Sequence, residues 1–244
     1  MTSIIQKLAN KWGYSIRRLP HPGATDNAFD EMRRLCGGIA APIIFDVGAH
    51  LGHVAQAFRK LLPASTVYAF EPFPASYAQL TANTSNDPQI KTFNFGLSDR
   101  DGLQAFHSNA SSATNSLLPT DASGANTWGA GLLETEAVVH LQFKTLDAVV
   151  DAMQLPKIDI LKLDVQGAEY MVIRGAKNTC RQGMINLLYT EIITLPTYQG
   201  QLRFDELMAV YYGHGFGLHN IYNMNFADAG NLRQVDALFS KTAP

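Results

Sequence analysis

The sequence predicts an α/β fold in which helices flank a mostly parallel sheet of seven strands. Three observations support this class. Short apolar runs rich in β-branched and aromatic residues alternate with segments of helical periodicity, as where PIIFDVG precedes HVAQAFRKLL. Most of these runs end at glycine, proline or an acidic residue, which is typical of a strand entering a turn. The chain has 244 residues, enough for one large α/β domain.

The first half of the chain reads as an initial helix followed by strand–helix repeats. The initial helix is expected around residues 28–35, because Gly37 and Gly38 follow it as helix-ending residues. Strands are then predicted at PIIFDVG, STVYAFEP and IKTFNFGLSD, with helices at HVAQAFRKLL and FPASYAQLTANTS between them. Strand, turn and helix in regular succession indicate parallel strands joined by helical crossovers.

The regular alternation breaks after residue 101. The segment GLQAFHSN predicts an extra strand, and AVVHLQFKTLDAVV predicts a strand followed by a short helix. Between them, residues 108–131 are rich in Ser, Asn, Thr, Ala and Gly, and are predicted to be an unstructured inserted loop. Such a long insertion is either a functional lid over a site or a disordered linker.

The alternation resumes in the second half. IDILKLDVQG predicts a buried strand, EYMVIRGAKNT a helix and INLLYTEI another buried strand. Residues 203–213 are expected to be helical. GLHNIYN and QVDALFS are predicted as a closing pair of strands, antiparallel to each other.

We expect two regions, an N-terminal helical extension over residues 1–38 and the main domain over residues 39–244. The extension carries an apolar stripe at helical spacing beside several basic residues. Packing on the edge of the domain is the preferred interpretation, and weak peripheral contact with a membrane surface is the alternative. The stripe consists of Ile4, Ile5, Leu8, Trp12, Ile16 and Leu19, and the basic residues are Lys7, Lys11, Arg17 and Arg18.

Composition and charge narrow the classes of function. The net charge of −2 does not favour a nucleic-acid partner. The two cysteines, Cys36 and Cys180, form neither a disulfide framework nor a zinc-ligand pattern, so a reducing, cytoplasmic compartment is expected. No apolar stretch of the sequence is long enough to span a bilayer.

The turn in FDVGAHLG suggests a nucleoside ligand. Gly48 and Gly52 lie between a strand and a helix, where α/β sheets bind ligands. His50 stands where a dinucleotide-binding turn has a glycine that approaches the pyrophosphate, which argues against NAD and FAD. Glu71 ends the next strand and is suited to accept hydrogen bonds from ribose hydroxyls. An adenosine pocket without a diphosphate fits S-adenosylmethionine. The alternatives are a Rossmann-type oxidoreductase and a non-catalytic nucleoside-binding module.

Six segments occur in the order found in FkbM-type methyltransferases, which the chain resembles over roughly residues 42–240. They are FDVGAHLG, VYAFEPFPASYAQLTAN, FNFGLSD, KTLDAVV, IDILKLDVQGAEYMVIRGA and LLYTEI. The resemblance implies a Rossmann-like class I methyltransferase fold and S-adenosylmethionine-dependent O-methylation. It implies an acceptor hydroxyl on a sugar, glycan or secondary metabolite. Two positions depart from the family pattern, since His50 replaces a frequent Asn and Gln166 a frequent Glu.

The resemblance also assigns cofactor-binding roles by position. It implies that Asp46, Gly48, His50 and Gly52 form the loop on the methionine side and that Glu71 binds the ribose. It places Ser98 and Asp99 against the adenine edge, although SDRDG also reads as an ordinary turn.

Three residues at strand ends are the catalytic candidates. Asp164 ends a buried strand and is the preferred acceptor-positioning group or general base. Lys162 lies on the same face of that strand and needs a buried partner, for which Asp164 and Glu191 are the candidates. A structural ion pair is the alternative for Asp164 and Lys162. Asp164 and Glu191 also make a divalent metal possible, but none is predicted.

Overall fold

The computed structural model describes residues 4–13, 25–129 and 131–242. The strands in these ranges are β1 Ile43–Val47, β2 Thr66–Phe70, β3 Ile90–Phe93, β4 Gly96–Leu97, β5 Gly102–Asn109, β6 Thr135–Lys144, β7 Ile158–Leu163, β8 Ile185–Ile193, β9 Phe216–Phe226 and β10 Leu232–Lys241. The α-helices are α1 Ile4–Lys11, α2 Ala28–Leu35, α3 His53–Leu61, α4 Pro74–Thr84, α5 Gly124–Trp128, α6 Leu146–Met153, α7 Glu169–Arg174, α8 Lys177–Arg181 and α9 Phe204–Gly213. A 3-10 turn covers Ser112–Thr114.

The strands form a seven-stranded sheet in the order β3-β2-β1-β7-β8-β10-β9 and a three-stranded sheet in the order β4-β6-β5. The large sheet is parallel from β3 to β8, while β10 runs antiparallel to both β8 and β9. This confirms the predicted α/β class, the seven-stranded sheet and the antiparallel closing pair. Because β1 lies between β2 and β7, the turns that follow these three strands open on one edge of the sheet.

The centre of the large sheet is buried on both faces. Every residue of β7 is buried, as expected for a parallel strand covered by helices on both sides. Successive residues alternate between two apolar clusters, with Phe45 on one face and Ile44 on the other. On the second face, Phe29 of α2 packs on Phe58 of α3 with ring centroids 5.1 Å apart. This packing fixes the strand ends that carry the polar residues described below.

Two predicted elements are each divided in the structure. The predicted strand IKTFNFGLSD ends at Phe93 in the large sheet, and Gly96–Leu97 joins the small sheet by pairing with β6. The predicted helix EYMVIRGAKNT separates into α7 and α8 around Gly175. A Cβ added at Gly175 would lie 2.1 Å from the carbonyl oxygen of Ser98, so this close approach requires glycine. Strand β3 therefore ends before the chain enters the small sheet, and helix α7 ends where Gly175 contacts the segment that follows β4.

The prediction that residues 108–131 are unstructured is wrong for the part of this segment that the structure describes. It contains the end of β5, the 3-10 turn and α5. Ser116 pairs with His107 in an isolated bridge, and Leu118 packs with Tyr198 in a separate apolar cluster. The polar composition hid this packing, because a few well-placed apolar and hydroxyl side chains hold the insertion.

The apolar stripe of the N-terminal extension is only partly within the described residues. Helix α1 ends at Lys11, and Gly13 follows it with a positive φ of 77°. Leu8 and Trp12 are 57% and 76% exposed, so the expected packing on the domain edge is wrong for these two residues. Ile16, Leu19, Arg17 and Arg18 lie outside the described residues.

Within the three described ranges, no helix combines the length and the apolar character needed to cross a bilayer.

Candidate functional site

A cavity of about 690 Å³, partly open to solvent, lies at the carboxyl ends of β1, β2 and β7. Five structural units supply its walls: the turn after β1, the end of β2, the turn after β7, the small sheet and the insertion. The lining residues are Val47, Gly48, His50, Glu71, Pro72, Gly96, Leu97, Phe106, Ser112, Ala113, Asn115, Leu117, Phe143, Asp164, Val165 and Gln166.

The turn after β1 approaches the neighbouring strand end closely. Gly48 has a φ of +75°, and a Cβ added there would lie 1.9 Å from the carbonyl oxygen of Asp164. No other residue type fits that space, so the backbone itself lines the cavity. Gly52 does not line the cavity. It faces α4 instead, where an added Cβ would lie 2.8 Å from Leu80. The second glycine therefore serves the packing of α4.

His50 lines the cavity and links it to the insertion. The residue has a φ of +48°, and its Nε2 lies 2.9 Å from Oγ of Ser112. Burial lowers the pKa of His50, which favours the neutral imidazole at neutral pH. The imidazole therefore fills the place of a glycine with an uncharged ring that contacts the insertion.

Glu71 lies at the end of β2 and is almost fully buried. Its two carboxylate oxygens each accept a backbone N–H at 2.9 Å, Oε1 from Phe73 and Oε2 from His50. Each oxygen keeps a further lone pair for a ligand. Burial raises the pKa of Glu71 to about 7 despite these two hydrogen bonds. The Glu71 carboxylate is thus an oriented hydrogen-bond acceptor in the cavity, with a pKa near neutrality.

Lys162 pairs with Asp46, so the expectation of Asp164 or Glu191 as its main partner is wrong. Its Nζ lies 2.9 Å from Asp46 Oδ1 and 3.7 Å from Asp164 Oδ2. Residues 46 and 162 are opposite each other in the β1–β7 register. The same ammonium donates to the carbonyl oxygen of Gly48 at 3.0 Å. Neither Asp46 nor Lys162 lines the cavity, and the pair instead supports the Gly48 turn from below.

The electrostatics of Lys162 follow from this pairing. Burial on its own would lower the pKa of Lys162, but Asp46 and Asp164 outweigh it and raise the pKa well above the ordinary value. The lysine is therefore a fixed positive charge inside the sheet.

The small sheet forms an apolar wall that the sequence did not reveal. Phe106 of β5 and Phe143 of β6 line the cavity with ring centroids 6.1 Å apart. Gly96 lies against Phe143, since a Cβ there would meet the ring at 2.2 Å. Ser98 is completely buried and, like Asp99, does not line the cavity. Gly96 and Leu97, two residues earlier in FNFGLSD, occupy the wall where Ser98 and Asp99 were expected.

The insertion supplies a further part of the wall, beside β5 of the small sheet. Four of its residues line the cavity: Ser112, Ala113, Asn115 and Leu117. Asn115 Oδ1 accepts the backbone N–H of Asn109 at 2.7 Å, which orients the carboxamide. Its Nδ2 is buried and has no protein partner within the described residues. A buried donor without a partner is costly unless a ligand or water satisfies it.

Gln166 joins Asp164 and Glu191 by hydrogen bonds to both. The sequence had marked Gln166 only as a departure from the family pattern. Gln166 Nε2 donates to Asp164 Oδ1 at 2.9 Å and to Glu191 Oε2 at 3.0 Å. Asp164 lines the cavity, whereas Glu191 lies behind it and also accepts from Gln234 Nε2 at 2.9 Å. Burial, followed by repulsion from Asp164, raises the pKa of Glu191 well above its usual value.

Two further acids surround this pair. Glu169 is buried at the start of α7, where its Oε1 accepts the backbone N–H groups of Val165 at 2.9 Å and Gly167 at 3.3 Å. Burial raises the pKa of Glu169 to about 7. Asp236 Oδ2 accepts from the Tyr189 hydroxyl at 2.7 Å. Asp164 is the member of this group that lines the cavity.

In the part of the chain that the structure describes, no three His, Cys, Asp or Glu side chains are arranged to hold a metal ion.

Comparison with protein families gives one match, to the methyltransferase FkbM domain, over residues 46–218. The matched range contains the turn after β1, Glu71, the insertion, Asp164 and Glu191. The family match therefore covers every residue that lines the cavity.

Three characterised relatives are methyltransferases by name. The 2-O-methyltransferase NoeI of Sinorhizobium fredii is 30% identical over 167 residues, covering 66% of this chain and 67% of NoeI. The 31-O-demethyl-FK506 methyltransferase FkbM of Streptomyces tacrolimicus is 25% identical over 194 residues, covering 71% and 72%. The hexuronic acid methyltransferase AglP of Haloferax volcanii is 27% identical over 152 residues, covering 62% of this chain and 55% of AglP.

Solved structures support the fold. A protein of Clostridium thermocellum described as an rRNA methylase superposes with a TM-score of 0.50 at 9% identity. The superposition covers 90% of this chain and 98% of that protein. At this level of identity the likeness concerns the fold alone.

Proposed function

The chain belongs to the FkbM methyltransferase family and is an S-adenosylmethionine-dependent methyltransferase, and from this premise we propose that it methylates a hydroxyl group of a sugar, glycan or secondary metabolite. The relatives support the acceptor class, since their names refer to 2-O and 31-O positions and to a hexuronic acid. The observation that carries the proposal is that Glu71 and Asp164 line one cavity. One is suited to a ribose and the other to an acceptor hydroxyl.

The cavity fits a nucleoside cofactor on four grounds. The positive φ of Gly48 and the absence of space for a Cβ allow close approach of a ligand to backbone. Glu71 retains free lone pairs for ribose hydroxyls, and Phe106 and Phe143 offer an apolar wall for a base. The buried Nδ2 of Asn115 lacks a protein partner within the described residues. S-adenosylmethionine would supply a methyl group activated by a sulfonium.

We assign the cofactor-binding roles accordingly. Gly48, His50 and Glu71 contact the cofactor, while Asp46 and Gly52 act indirectly by supporting the turn. Gly96 and Leu97 line the cavity where the adenine edge is proposed to lie. Ser98 and Asp99 follow them in the chain, so we propose only an indirect role for these two residues. The insertion lines the cofactor cavity next to the small sheet.

The strand order supports the placement of the acceptor. Glu71 follows β2, Gly48 follows β1, Asp164 follows β7 and Glu191 lies in β8, which are successive strands of the sheet. Adjacent strands are about 4.8 Å apart, so the distance from β2 to β7 is about 10 Å. Asp164 would accept the proton of the acceptor hydroxyl. S-adenosylmethionine, held by Gly48, His50 and Glu71, would supply the methyl group to the acceptor oxygen and leave as S-adenosylhomocysteine. Glu191 and Lys162 support Asp164 from behind the cavity.

We also propose the division of the chain into a helical extension, residues 1–38, and a methyltransferase domain, residues 39–244. The second helix of the extension, α2, packs on the domain through the fully buried Met32.

Calorimetric titration with S-adenosylhomocysteine tests the cofactor site. We expect binding by the wild type, at least tenfold weaker binding by Glu71→Ala because ribose acceptors are lost, and no binding of NAD. Glu136→Ala, at an exposed position of β6, is the matched control and should bind like the wild type. Wild-type protein that is folded and free of ligand, yet does not bind, would contradict the proposal.

Turnover of a panel of hydroxyl acceptors tests the chemistry. With an active acceptor, Asp164→Asn should lower kcat by about a hundredfold, the usual contribution of a general base. Full turnover by this variant would rule out the role of Asp164.

A further inference from the structure

Gln166 has an unusual backbone that the structure holds from two sides. Its φ is +55°, and Gly167 follows with a φ of +89°. A non-glycine residue in this region is uncommon and needs support. Ser116 of the insertion donates its hydroxyl to the carbonyl oxygen of Gln166 at 2.7 Å. Glu169 accepts the N–H groups of the residues on either side. The turn therefore has one conformation, which fixes the direction of the Gln166 side chain.

The carboxamide of Gln166 uses both of its N–H donors on carboxylates. Nε2 contacts Asp164 Oδ1 at 2.9 Å and Glu191 Oε2 at 3.0 Å. One Nε2 group thus contacts an oxygen of each carboxyl group. Oε1 accepts from the Tyr198 hydroxyl at 3.0 Å, and that hydroxyl also contacts the carbonyl oxygen of Thr114 at 2.9 Å. Ionised carboxylates only accept hydrogen bonds, so this orientation of the carboxamide satisfies both.

The surroundings of this bridge carry more negative than positive charge. The charged and titratable groups that face it from the packed elements are Asp46, His50, Lys162, Asp164, Glu169, Tyr189, Glu191, Tyr198 and Asp236. Lys162 is the cation among them and is already paired with Asp46. Asp164 and Glu191 repel each other, and donors that lie between them reduce this repulsion. Gln166 supplies those donors without adding charge.

We propose that Gln166 is a positioning residue for methyl transfer, whose neutral carboxamide holds Asp164 and Glu191 together and directs Asp164 toward the acceptor hydroxyl. The proposal rests on the proposed function in assigning Asp164 to the acceptor. Through Ser116 and Tyr198 the same residue ties this carboxylate pair to the insertion that covers the cofactor cavity.

A bridging role differs from simple packing in its dependence on pH. Removal of the two donors raises the pKa of Glu191 in the folded state further above its value in the unfolded chain. The folded state then binds more protons, so the added instability is absent at low pH and grows as pH rises through the folded pKa. A loss of packing alone lowers stability equally at every pH.

The test compares thermal unfolding of the wild type, Gln166→Glu and Gln166→Leu between about pH 5 and about pH 8, without ligand. Gln166→Glu keeps the shape but replaces the donors by a third carboxyl group. Its Tm deficit relative to the wild type should grow by about 4 °C or more over this range, and that of Gln166→Leu by about half as much. A deficit that is the same at every pH would overturn the proposal.

Gln154 provides a matched control. It is an exposed glutamine with a φ of +51°, so the same substitutions meet the same backbone conformation without the facing carboxylates. Gln154→Glu and Gln154→Leu should give Tm curves parallel to that of the wild type. If the Gln154→Glu deficit grew as steeply as that of Gln166→Glu, the bridge would not explain the effect.

Measurement of kcat against pH distinguishes failure of this inference from failure of the proposed function. With an active acceptor, Gln166→Leu should lower kcat about tenfold and shift the acidic limb of the pH profile of kcat to higher pH. An unchanged pH profile would contradict the positioning role. Failure of wild-type protein to bind S-adenosylhomocysteine would instead contradict the proposed function and leave the unfolding test valid.

Discussion

The ammonium group of Lys162 lies 2.9 Å from Oδ1 of Asp46, and both side chains are buried in the centre of the sheet. Removal of one partner leaves an uncompensated charge. We therefore expect Lys162→Met to lower the free energy of unfolding by about 3 to 5 kcal/mol in urea titration. The double variant Asp46→Leu/Lys162→Met should recover most of that loss.

Lys157→Met is the control for this prediction. Lys157 also pairs with a buried acid, Asp159, at 2.8 Å, but Asp159 keeps hydrogen bonds from Ile43 N and Asn186 Nδ2. Its removal should therefore cost much less. Equal costs for the two lysine substitutions would contradict a special role of the Asp46–Lys162 pair.

Glu71 should make the stability of the ligand-free protein depend on pH. Its pKa rises from 4.5 to about 7 on folding, mainly because the carboxyl is buried. The folded state therefore binds more protons, and stability is lost as pH rises from about 4.5 through about 7. The loss amounts to about 3 kcal/mol. Urea titrations of the wild type and Glu71→Gln across this range should diverge by that amount, and parallel curves would refute the assignment.

The same titration predicts how cofactor affinity responds to pH. An ionised Glu71 accepts two hydroxyl hydrogen bonds, whereas a protonated one must donate. The affinity for S-adenosylhomocysteine should rise with pH through about 7 and then level off. Glu71→Gln should bind weakly at every pH. Calorimetry checks this, and a wild-type affinity that is constant across the range would contradict it.

The contact between His50 Nε2 and Ser112 Oγ, at 2.9 Å, should hold the insertion against the cofactor cavity. We expect Ser112→Ala to weaken S-adenosylhomocysteine binding by about fivefold, a typical cost of one lost hydrogen bond. Ser111→Ala is the control, since no hydrogen bond of its hydroxyl is present among the described residues. Isothermal titration calorimetry measures the affinity of both variants. Equal affinities would show that the His50–Ser112 contact does not contribute to binding.

Gly48 should not tolerate a side chain. Gly48→Ala places a Cβ 1.9 Å from the Asp164 carbonyl oxygen at a φ of +75°. Gly200 has a similar φ of +83° but open space around it, so Gly200→Ala measures the conformational cost alone. That cost is about 1 to 2 kcal/mol. Gly48→Ala should lose at least about 2 kcal/mol more in urea titration and fail to bind S-adenosylhomocysteine. Equal losses would contradict the close approach.

Removal of metal ions should not weaken the site, because the Gln166 carboxamide already occupies the space between Asp164 and Glu191. We expect turnover of an active acceptor to be unchanged by EDTA. A loss of activity that Mg²⁺ restores would show that the carboxylates bind a cation in solution.

The sequence by itself determined the elements and the polar residues at their ends. Near-continuous apolar runs marked β1, β2, β7 and β8, because a parallel strand buried on both faces requires them. The chain turns at the carboxyl ends of these strands, so Gly48, Glu71 and Asp164 were identified from position alone. These are local properties, set by neighbours within a few residues.

Only the tertiary structure decided which side chains meet. Lys162 had acids nearby in sequence, yet the β1–β7 register pairs it with Asp46. Phe106 and Phe143 became a cavity wall because the small sheet folds against the large one, and Gln166 gained its role by reaching two strands at once. Such contacts depend on register and packing between segments far apart in the chain, and no local pattern of residues encodes them.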